Sequence, residues 1–201
     1  MRPYFDNPVA GGVLMAVVLC WLVIEFAEFL RVQEARAART GTVKTRNPAV
    51  FWLSFVACMI VAEAGLYGAP HVFPAAAIQP GAAAFVAGIA IFVTGAALRG
   101  WSFLTLGKYF SYVIEVSPDQ PVVTAGPYRA VRHPTYAGGM LIFIGIGLAS
   151  ANWIGLAAIT LLPLAMVVWR IRIEENALLT TLGERYRGYA GQHKRLVPLV
   201  W

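Results

Sequence analysis

The chain has 201 residues, of which 59% are hydrophobic and only 13% are charged. Soluble domains carry roughly 25% charged residues, so the composition excludes an ordinary soluble protein and predicts one membrane domain over residues 1–201. The formal net charge of +6 is compatible with nucleic acid binding, but the placement of the basic residues argues against that function.

Five apolar segments follow one another along the chain. They cover residues 9–30, 48–68, 81–100, 136–150 and 153–170. The first three are each about 20 residues long, which is enough for a helix to cross a bilayer. The last two are shorter and are separated only by Ala151-Asn152, which predicts a tight helical hairpin. None alternates with the two-residue period of a membrane β-strand, so we predict an all-α membrane bundle of about five transmembrane helices.

Except for Arg2, lysine and arginine lie between segments one and two, from the end of segment three to the start of segment four, and from the end of segment five onward. The connections 69–80 and 151–152 contain neither residue. Five spans would place all the basic regions on one side of the membrane, which the positive-inside rule assigns to the cytoplasm. We therefore expect an outside N-terminus, a cytoplasmic C-terminus, and basic side chains that face anionic lipid headgroups rather than nucleic acid.

Residues 170–193 mix apolar and charged side chains. This pattern predicts an extension of the fifth helix followed by a cytoplasmic amphipathic helix, which Pro198 would end. Cys20 and Cys58 both fall inside apolar segments. Their position predicts buried thiols rather than a disulfide framework or a metal site.

A dense polar block, Gly-Pro-Tyr-Arg-Ala-Val-Arg-His-Pro-Thr-Tyr at residues 126–136, directly precedes the fourth apolar segment. Gly126 and Pro127 predict a turn. Pro134 disfavours helical geometry at His133 and is suited to the first turn of the fourth helix. Tyrosine and arginine at a membrane interface are common as anchors, but anchoring does not explain the His-Pro pair between them. We therefore favour a ligand site here.

Arg170 and Glu174 are four residues apart and would share one face of a helix. One interpretation is a simple ion pair beside Arg172 and Glu175. The other is a cation for an anionic substrate and a carboxylate for the hydroxyl or amino groups of a ligand. The residues alone leave both interpretations open.

Three glutamates lie within or near the first two apolar segments. Glu25 and Glu28 are within reach of the basic interface, and Arg31 follows Glu28 by three residues, so we favour structural pairing for both. Glu63 lies toward the outer end of the second segment and is not assigned to the site.

The ordered combination of the 126–136 block, an apolar hairpin, Arg170-x-x-x-Glu174-Glu175 and Gly183-Glu-x-Tyr-x-x-Tyr189 resembles one family. It is the isoprenylcysteine carboxyl methyltransferase family of integral membrane enzymes, which is related to phospholipid N-methyltransferases. The resemblance covers about residues 95–200. It implies N-terminal helices over residues 1–80 and a cofactor-binding methyltransferase core over residues 81–201.

The resemblance also implies S-adenosylmethionine as cofactor and a lipid-like acceptor that enters from the bilayer. Arg170 matches the catalytic residue that holds the substrate carboxylate, and Glu174 matches a carboxylate that binds the cofactor. The other residues that match cofactor-binding positions are Gln120, Pro121, Val122, Val123, Tyr128, His133, Pro134, Thr135 and Tyr136.

The function expected from this resemblance is methylation of a carboxylate on a hydrophobic acceptor. Three alternatives remain open. The core is similar to methyltransferases that act on amines or thiols, and the Arg-His-Pro-x-Tyr loop resembles that of membrane sterol reductases, which use NADPH. A lipid-binding membrane protein without enzymatic activity would bind neither cofactor.

Overall fold

The computed structural model describes residues 7–37, 43–44, 48–198 and 201, without the side chains of residues 33–52 and of residue 55. In this part of the chain, six α-helices carry the fold. They are α1 (Pro8–Ala37), α2 (Pro48–Val72), α3 (Gly81–Leu106), α4 (Pro134–Ala149), α5 (Trp153–Leu182) and α6 (Glu184–Gln192). Two short antiparallel strands, β1 (Val43–Lys44) and β2 (Glu115–Val116), pair Val43 with Val116.

The predicted all-helical membrane architecture is confirmed. Three helical stretches are long and apolar enough to cross a membrane: Pro8–Val32, Gly81–Tyr109 and Trp153–Leu182. Val56–Val72 and Pro134–Ala149 are shorter apolar helices. The 16 residues of α4 rise only about 24 Å at 1.5 Å per residue, less than the roughly 30 Å hydrocarbon core. Five complete crossings therefore stay a prediction.

Helices α3 and α4 pack with their backbones in close contact because glycines face each other across the interface. A Cβ atom added at Gly88 would lie 2.5 Å from the backbone nitrogen of Ala149 and 2.6 Å from the carbonyl oxygen of Gly145. A Cβ atom at Gly138 would lie 2.7 Å from the carbonyl oxygen of Gly95. This close approach brings the start of α4 beside the second half of α3.

The predicted hairpin between α4 and α5 is present, and Asn152 organises it. The Asn152 Oδ1 atom accepts hydrogen bonds from the backbone nitrogens of Ile154 (3.0 Å) and Gly155 (3.1 Å), which caps α5. The Asn152 amide group donates to the carbonyl oxygen of Phe73 (3.1 Å), just beyond α2. One buried side chain thus joins three helices at the end of the molecule opposite the polar block.

The polar block folds as its glycine and prolines predict. Gly126 has a φ of 54° and begins a short 3₁₀ turn over Gly126–Arg129. His133 lies outside helical geometry, with φ −125° and ψ 57°, and Pro134 begins α4. The C-terminal segment runs beside this block, where the backbone nitrogen of His133 donates to the carbonyl oxygen of Arg195 (2.9 Å).

The region after the fifth apolar segment is helical, as predicted, but the last helix ends at Gln192 and not at Pro198 as expected. Helix α5 continues to Leu182, and Gly183, with a φ of 58°, separates it from α6. Leu182 packs with Tyr186 and Tyr189 of α6 and with Val116 of β2. This cluster anchors α6 beside the polar block.

The prediction that both cysteines are buried is wrong. Cys20 is exposed at the protein surface and Cys58 is half-buried. An apolar segment of a membrane protein presents much of its surface to lipid, so a hydrophobic sequence does not imply burial against other helices.

We predict that Gly88→Ala destabilises the protein, because its new methyl group would meet the backbone of α4 at 2.5 Å. Overpacking of this kind typically costs about 1–3 kcal/mol. Gly100→Ala on the same helix is the matched control, since nothing lies within 4 Å of its Cβ position. Thermal unfolding in detergent should show a lower midpoint for Gly88→Ala only, and equal midpoints would contradict the close packing of α3 and α4.

Candidate functional site

A cavity of about 490 Å³ lies among α1, α3, α4, α5, α6 and the loops that precede α4. It brings together nearly all the residues that the sequence analysis selected. The selected residues that line it are Gln120, Pro121, Val122, Val123, Tyr128, His133, Thr135, Tyr136, Arg170 and Glu174. Pro134 is not among the lining residues; it is fully buried and begins α4.

The hydroxyl of Tyr136 joins Arg170 to Glu174. It donates a hydrogen bond to the Glu174 Oε2 atom (2.6 Å) and accepts one from the Arg170 Nε atom (2.6 Å). Arg170 and Glu174 share a helix face, as predicted, and Tyr136 reaches them from the first turn of α4. The Arg170 Nη2 atom also donates to the carbonyl oxygen of Tyr112 (2.5 Å). The guanidinium group is therefore held in a defined position on the cavity wall.

The imidazole of His133 lies near two carboxylates. Its Nε2 atom is 3.2 Å from the Glu175 Oε1 atom, and its Nδ1 atom is 3.9 Å from the Glu174 Oε1 atom. Glu175 also binds Arg132 through Nη1 (2.8 Å) and Arg195 through Nε (2.8 Å). Two arginines and one histidine thus surround this carboxylate, which is only 5% exposed.

Tyr128 is buried beside the start of α4, and its hydroxyl lies 3.0 Å from the Thr135 Oγ1 atom. The hydroxyl of Tyr189 in α6 donates to the carbonyl oxygen of Tyr128 (2.8 Å). Burial raises the pKa of Tyr128 and raises the pKa of Tyr189 to about 12. Both phenols are therefore neutral near pH 7 and act through their hydrogen bonds and their aromatic rings.

Tyr186 presents a polar group without a partner. Its side chain lines the cavity and is 4% exposed, and its hydroxyl has no hydrogen-bond partner among the described residues. A buried hydroxyl in this state is costly, so it fits a cavity that receives a polar ligand.

The rest of the cavity lining is predominantly apolar and contains one ion pair. Arg99 of α3 binds Glu25 of α1 through Nε and Nη2, the latter at 3.1 Å. Glu28 binds Arg31 at 2.8 Å, so structural pairing is confirmed for both glutamates, while Glu63 is exposed and does not line the cavity. The apolar side chains nearby are Trp21, Leu22, Leu106, Phe143, Met166 and Val167.

A family model described as phospholipid methyltransferase matches residues 83–185, which is just over half of the chain and includes most of this cavity wall. The chain belongs to the phospholipid methyltransferase family. The matched range contains α4, α5, the 126–136 block and all but the first two residues of α3, so the family core coincides with the part of the molecule that holds His133, Tyr136 and Glu174.

Curated isoprenylcysteine O-methyltransferases also resemble this chain. A protein-S-isoprenylcysteine O-methyltransferase from Tribolium castaneum is 33% identical over 115 residues, which cover 56% of this chain and 41% of the relative. Protein-S-isoprenylcysteine O-methyltransferase B from Arabidopsis thaliana is 30% identical over 120 residues, covering 56% and 58%. The alignments therefore span about half the length of these curated relatives.

A solved structure of a eukaryotic intramembrane Ras methyltransferase, an isoprenylcysteine carboxyl methyltransferase, has a TM-score of 0.68 to this chain. The sequences are 26% identical, and the superposition covers 95% of this chain and 67% of the other. These relatives confirm the resemblance to isoprenylcysteine carboxyl methyltransferases.

Sequence reasoning missed part of this site. Glu175 was considered as a neighbour of Arg172 and as part of the Arg170–Glu175 pattern, whereas the structure pairs it with Arg132 and Arg195. These partners come from separate elements, so helical spacing does not reveal them. Tyr112 carries no local motif at all. Tyr186 did have a signal, since it belongs to the Gly183–Tyr189 pattern.

We predict that Glu175→Ala strongly destabilises the protein, because it leaves Arg132 and Arg195 without their shared carboxylate. Breaking a buried ion pair costs about 3–5 kcal/mol, and the partial exposure of Arg195 favours the lower end. Glu184→Ala is the control, since Glu184 pairs with Arg187 at the surface and is 81% exposed. Thermal unfolding should separate the two variants clearly; a Glu175→Ala variant as stable as Glu184→Ala would mean that this cluster does not hold the site together.

Proposed function

We propose that this chain is an S-adenosylmethionine-dependent membrane methyltransferase that acts on the carboxylate of a lipid-like acceptor of the isoprenylcysteine type. The observation that carries the proposal is a single cavity in which Arg170 and Glu174 lie one helical turn apart beside an apolar wall. The curated relatives are named for isoprenylcysteine O-methylation, which supports the same acceptor class.

The residues present fit the cofactor that the family implies. Glu174 offers a carboxylate at the cavity wall, Tyr186 offers a buried hydroxyl that has no partner in the described part of the chain, and the ring of Tyr128 offers an aromatic surface. We assign cofactor binding to these three residues, to His133, Thr135 and Tyr136, and to the loop residues Gln120, Pro121, Val122 and Val123. Pro134 contributes by restricting the backbone at His133 and beginning α4. When bound, S-adenosylmethionine supplies an activated methyl group on a sulfonium.

Arg170 is suited to hold an acceptor carboxylate. The planar guanidinium can bind both carboxylate oxygens, and its contacts with Tyr136 and the Tyr112 carbonyl orient it. A carboxylate is already ionised near neutral pH, so this chemistry requires no general base. The residues of the cavity contribute by orienting the two reactants and excluding water.

The apolar side of the cavity is suited to the hydrophobic part of such an acceptor. Trp21, Leu22, Met166 and Val167 line it, and the adjoining helices α1 and α5 contain stretches that are long and apolar enough to cross a bilayer. A lipid-like acceptor that reached this wall through water would have to expose its apolar surface to water, which is unfavourable. Entry from the membrane avoids that cost. We further propose that the protein crosses the membrane five times, with the cavity and the C-terminus on the cytoplasmic side, because the basic connections share that side.

A second acceptor class is favoured by one specific observation. The matching family model is described as phospholipid methyltransferase, and a lipid amine would also fit a cavity that joins polar and apolar walls. An amine acceptor has no use for a bidentate cation, so Arg170 distinguishes the two classes. A reductase that uses NADPH and a protein without enzymatic activity are distinguished by cofactor binding.

We predict that His133→Ala and Glu174→Gln weaken the binding of S-adenosylmethionine. Loss of one charged or well-formed polar contact in a closed site costs roughly 1.5–3 kcal/mol, or about ten- to a hundredfold in affinity. Glu184→Gln is the matched control for Glu174→Gln, because Glu184 is exposed at the start of α6. Equilibrium dialysis with labelled cofactor measures the effect.

The same dialysis tests the rival functions. Tight binding of NADPH without binding of S-adenosylmethionine would favour the reductase, and binding of neither would contradict an enzyme of either kind. Equal losses in Glu174→Gln and Glu184→Gln would indicate general destabilisation rather than a binding site.

We predict that Arg170→Lys sharply reduces methyl transfer to a carboxylate acceptor, because lysine cannot make the planar two-bond contact. Cofactor affinity should change little, and the measured loss should lie in transfer to an isoprenylated cysteine in lipid nanodiscs. A mild effect on that transfer would argue for an amine or thiol acceptor. Loss of cofactor binding would show that Arg170 serves the cofactor instead.

A further inference from the structure

The carboxylate of Glu25 is the meeting point of four donors from three parts of the chain. Arg99 binds it through Nε and Nη2, and the Trp21 Nε1 atom donates to Oε1 (3.2 Å). The Tyr112 hydroxyl donates to Oε2 (3.2 Å). Glu25 lies in α1, outside the range 83–185 that matches the family model. A set of donors this complete is much more than a single surface ion pair provides.

Tyr112 connects this carboxylate to the proposed acceptor site. Its hydroxyl binds Glu25, while its own backbone carbonyl accepts the hydrogen bond from the Arg170 Nη2 atom (2.5 Å). The ring between these two contacts packs against three aromatic side chains. The centroid distances from Tyr112 are 5.0 Å to Phe110, 5.6 Å to Phe29 and 6.3 Å to Phe103. The position of the carbonyl is thus coupled to the position of the hydroxyl.

Arg99 connects the same carboxylate to the start of α4. Its Nη1 atom donates to the carbonyl oxygen of Thr135 (3.1 Å), and its guanidinium lies 4.7 Å from the ring centroid of Phe103. Because Tyr136 follows Thr135 directly, this bond acts on the residue whose hydroxyl holds Arg170. Two routes, one through Tyr112 and one through Arg99, therefore lead from Glu25 to the Arg170 guanidinium.

We propose that Glu25 is a positioning residue for the acceptor site, and that the first helix completes this site by fixing Tyr112 and, through it, Arg170. The proposal rests on the proposed function, because it assigns Arg170 to the acceptor. Glu25 acts on Arg170 through other residues, chiefly through Tyr112, whose hydroxyl it binds and whose carbonyl holds the guanidinium. The charge of Glu25 also neutralises Arg99 at the cavity wall, which keeps a second cation from competing with Arg170 for an anionic acceptor.

The test uses Glu25→Gln, Tyr112→Phe and the double variant of the full-length protein in lipid nanodiscs. Tyr112→Phe removes only the hydroxyl and keeps the backbone carbonyl, so it tests the coupling even where Glu25→Gln folds poorly. Glu28→Gln is the matched control, because Glu28 lies on the same helix and pairs with the largely exposed Arg31. Methyl transfer to an N-acetylated farnesylcysteine, cofactor affinity and the rate of Arg170 modification by phenylglyoxal are measured for each.

We expect kcat/KM for the acceptor to fall about ten- to a hundredfold in Glu25→Gln and Tyr112→Phe. A reactant misplaced by up to about 1 Å loses rate by a factor of this size. Cofactor affinity should be unchanged in Tyr112→Phe, which leaves the bond from Arg99 to Thr135 in place, and phenylglyoxal should modify Arg170 severalfold faster in both single variants. The double variant should be no worse than the more severe single variant, since both changes break the same contact between Glu25 and Tyr112.

Glu25→Gln that matches Glu28→Gln in every measurement would overturn the proposal, as would losses that multiply in the double variant. A parallel loss of cofactor affinity in Tyr112→Phe would also overturn it, because it would show a general loosening of the bundle. The acceptor assignment fails separately. If the unsubstituted protein transfers no methyl group to the farnesylcysteine, the modification rates of Arg170 still decide whether Glu25 positions it.

Discussion

The rest of the site depends on two hydrogen bonds of the Tyr136 hydroxyl, one to the Glu174 Oε2 atom and one from the Arg170 Nε atom, each 2.6 Å long. They require the first turn of α4 to meet the far end of α5. The long α5 helix provides that reach, and the short turn capped by Asn152 makes α4 and α5 antiparallel neighbours. The glycine contacts between α3 and α4 then fix the position of α4 against α3. The packing of these apolar helices therefore holds the Tyr136 hydroxyl in place.

Charge placement in the site follows from the cost of burying an ion in an apolar surrounding. Glu175 is compensated by Arg132 and Arg195, and Arg99 by Glu25. These pairs act as fixed structure around the cavity, while Glu174 and Arg170 are bridged by a neutral hydroxyl. An arrangement of this kind offers a carboxylate and a guanidinium to ligands without requiring large rearrangement, which is how enzyme sites lower the cost of orienting reactants.

Local sequence rules predicted the placement of Arg170, Glu174 and His133, but they failed where a contact depends on distant elements or on lipid. Helical spacing placed Arg170 and Glu174 on one face, and proline geometry placed His133 outside α4, because both depend only on neighbouring residues. The partners of Glu175 and Glu25 come from distant elements that only the packed bundle brings together. Cys20 was predicted to be buried because its segment is apolar, but it is exposed. Hydrophobicity alone does not separate a helix face that contacts protein from one that contacts lipid.

The most direct test of the site is an experimental structure of the protein in lipid nanodiscs with S-adenosylhomocysteine, the demethylated form of the proposed cofactor. We expect density for the nucleoside in the cavity, in contact with Glu174 and His133, with Tyr186 hydrogen-bonded to the ligand and Arg170 still held by Tyr136. Density at any other place in the bundle would contradict the site. An empty cavity at saturating S-adenosylhomocysteine would contradict the proposed function.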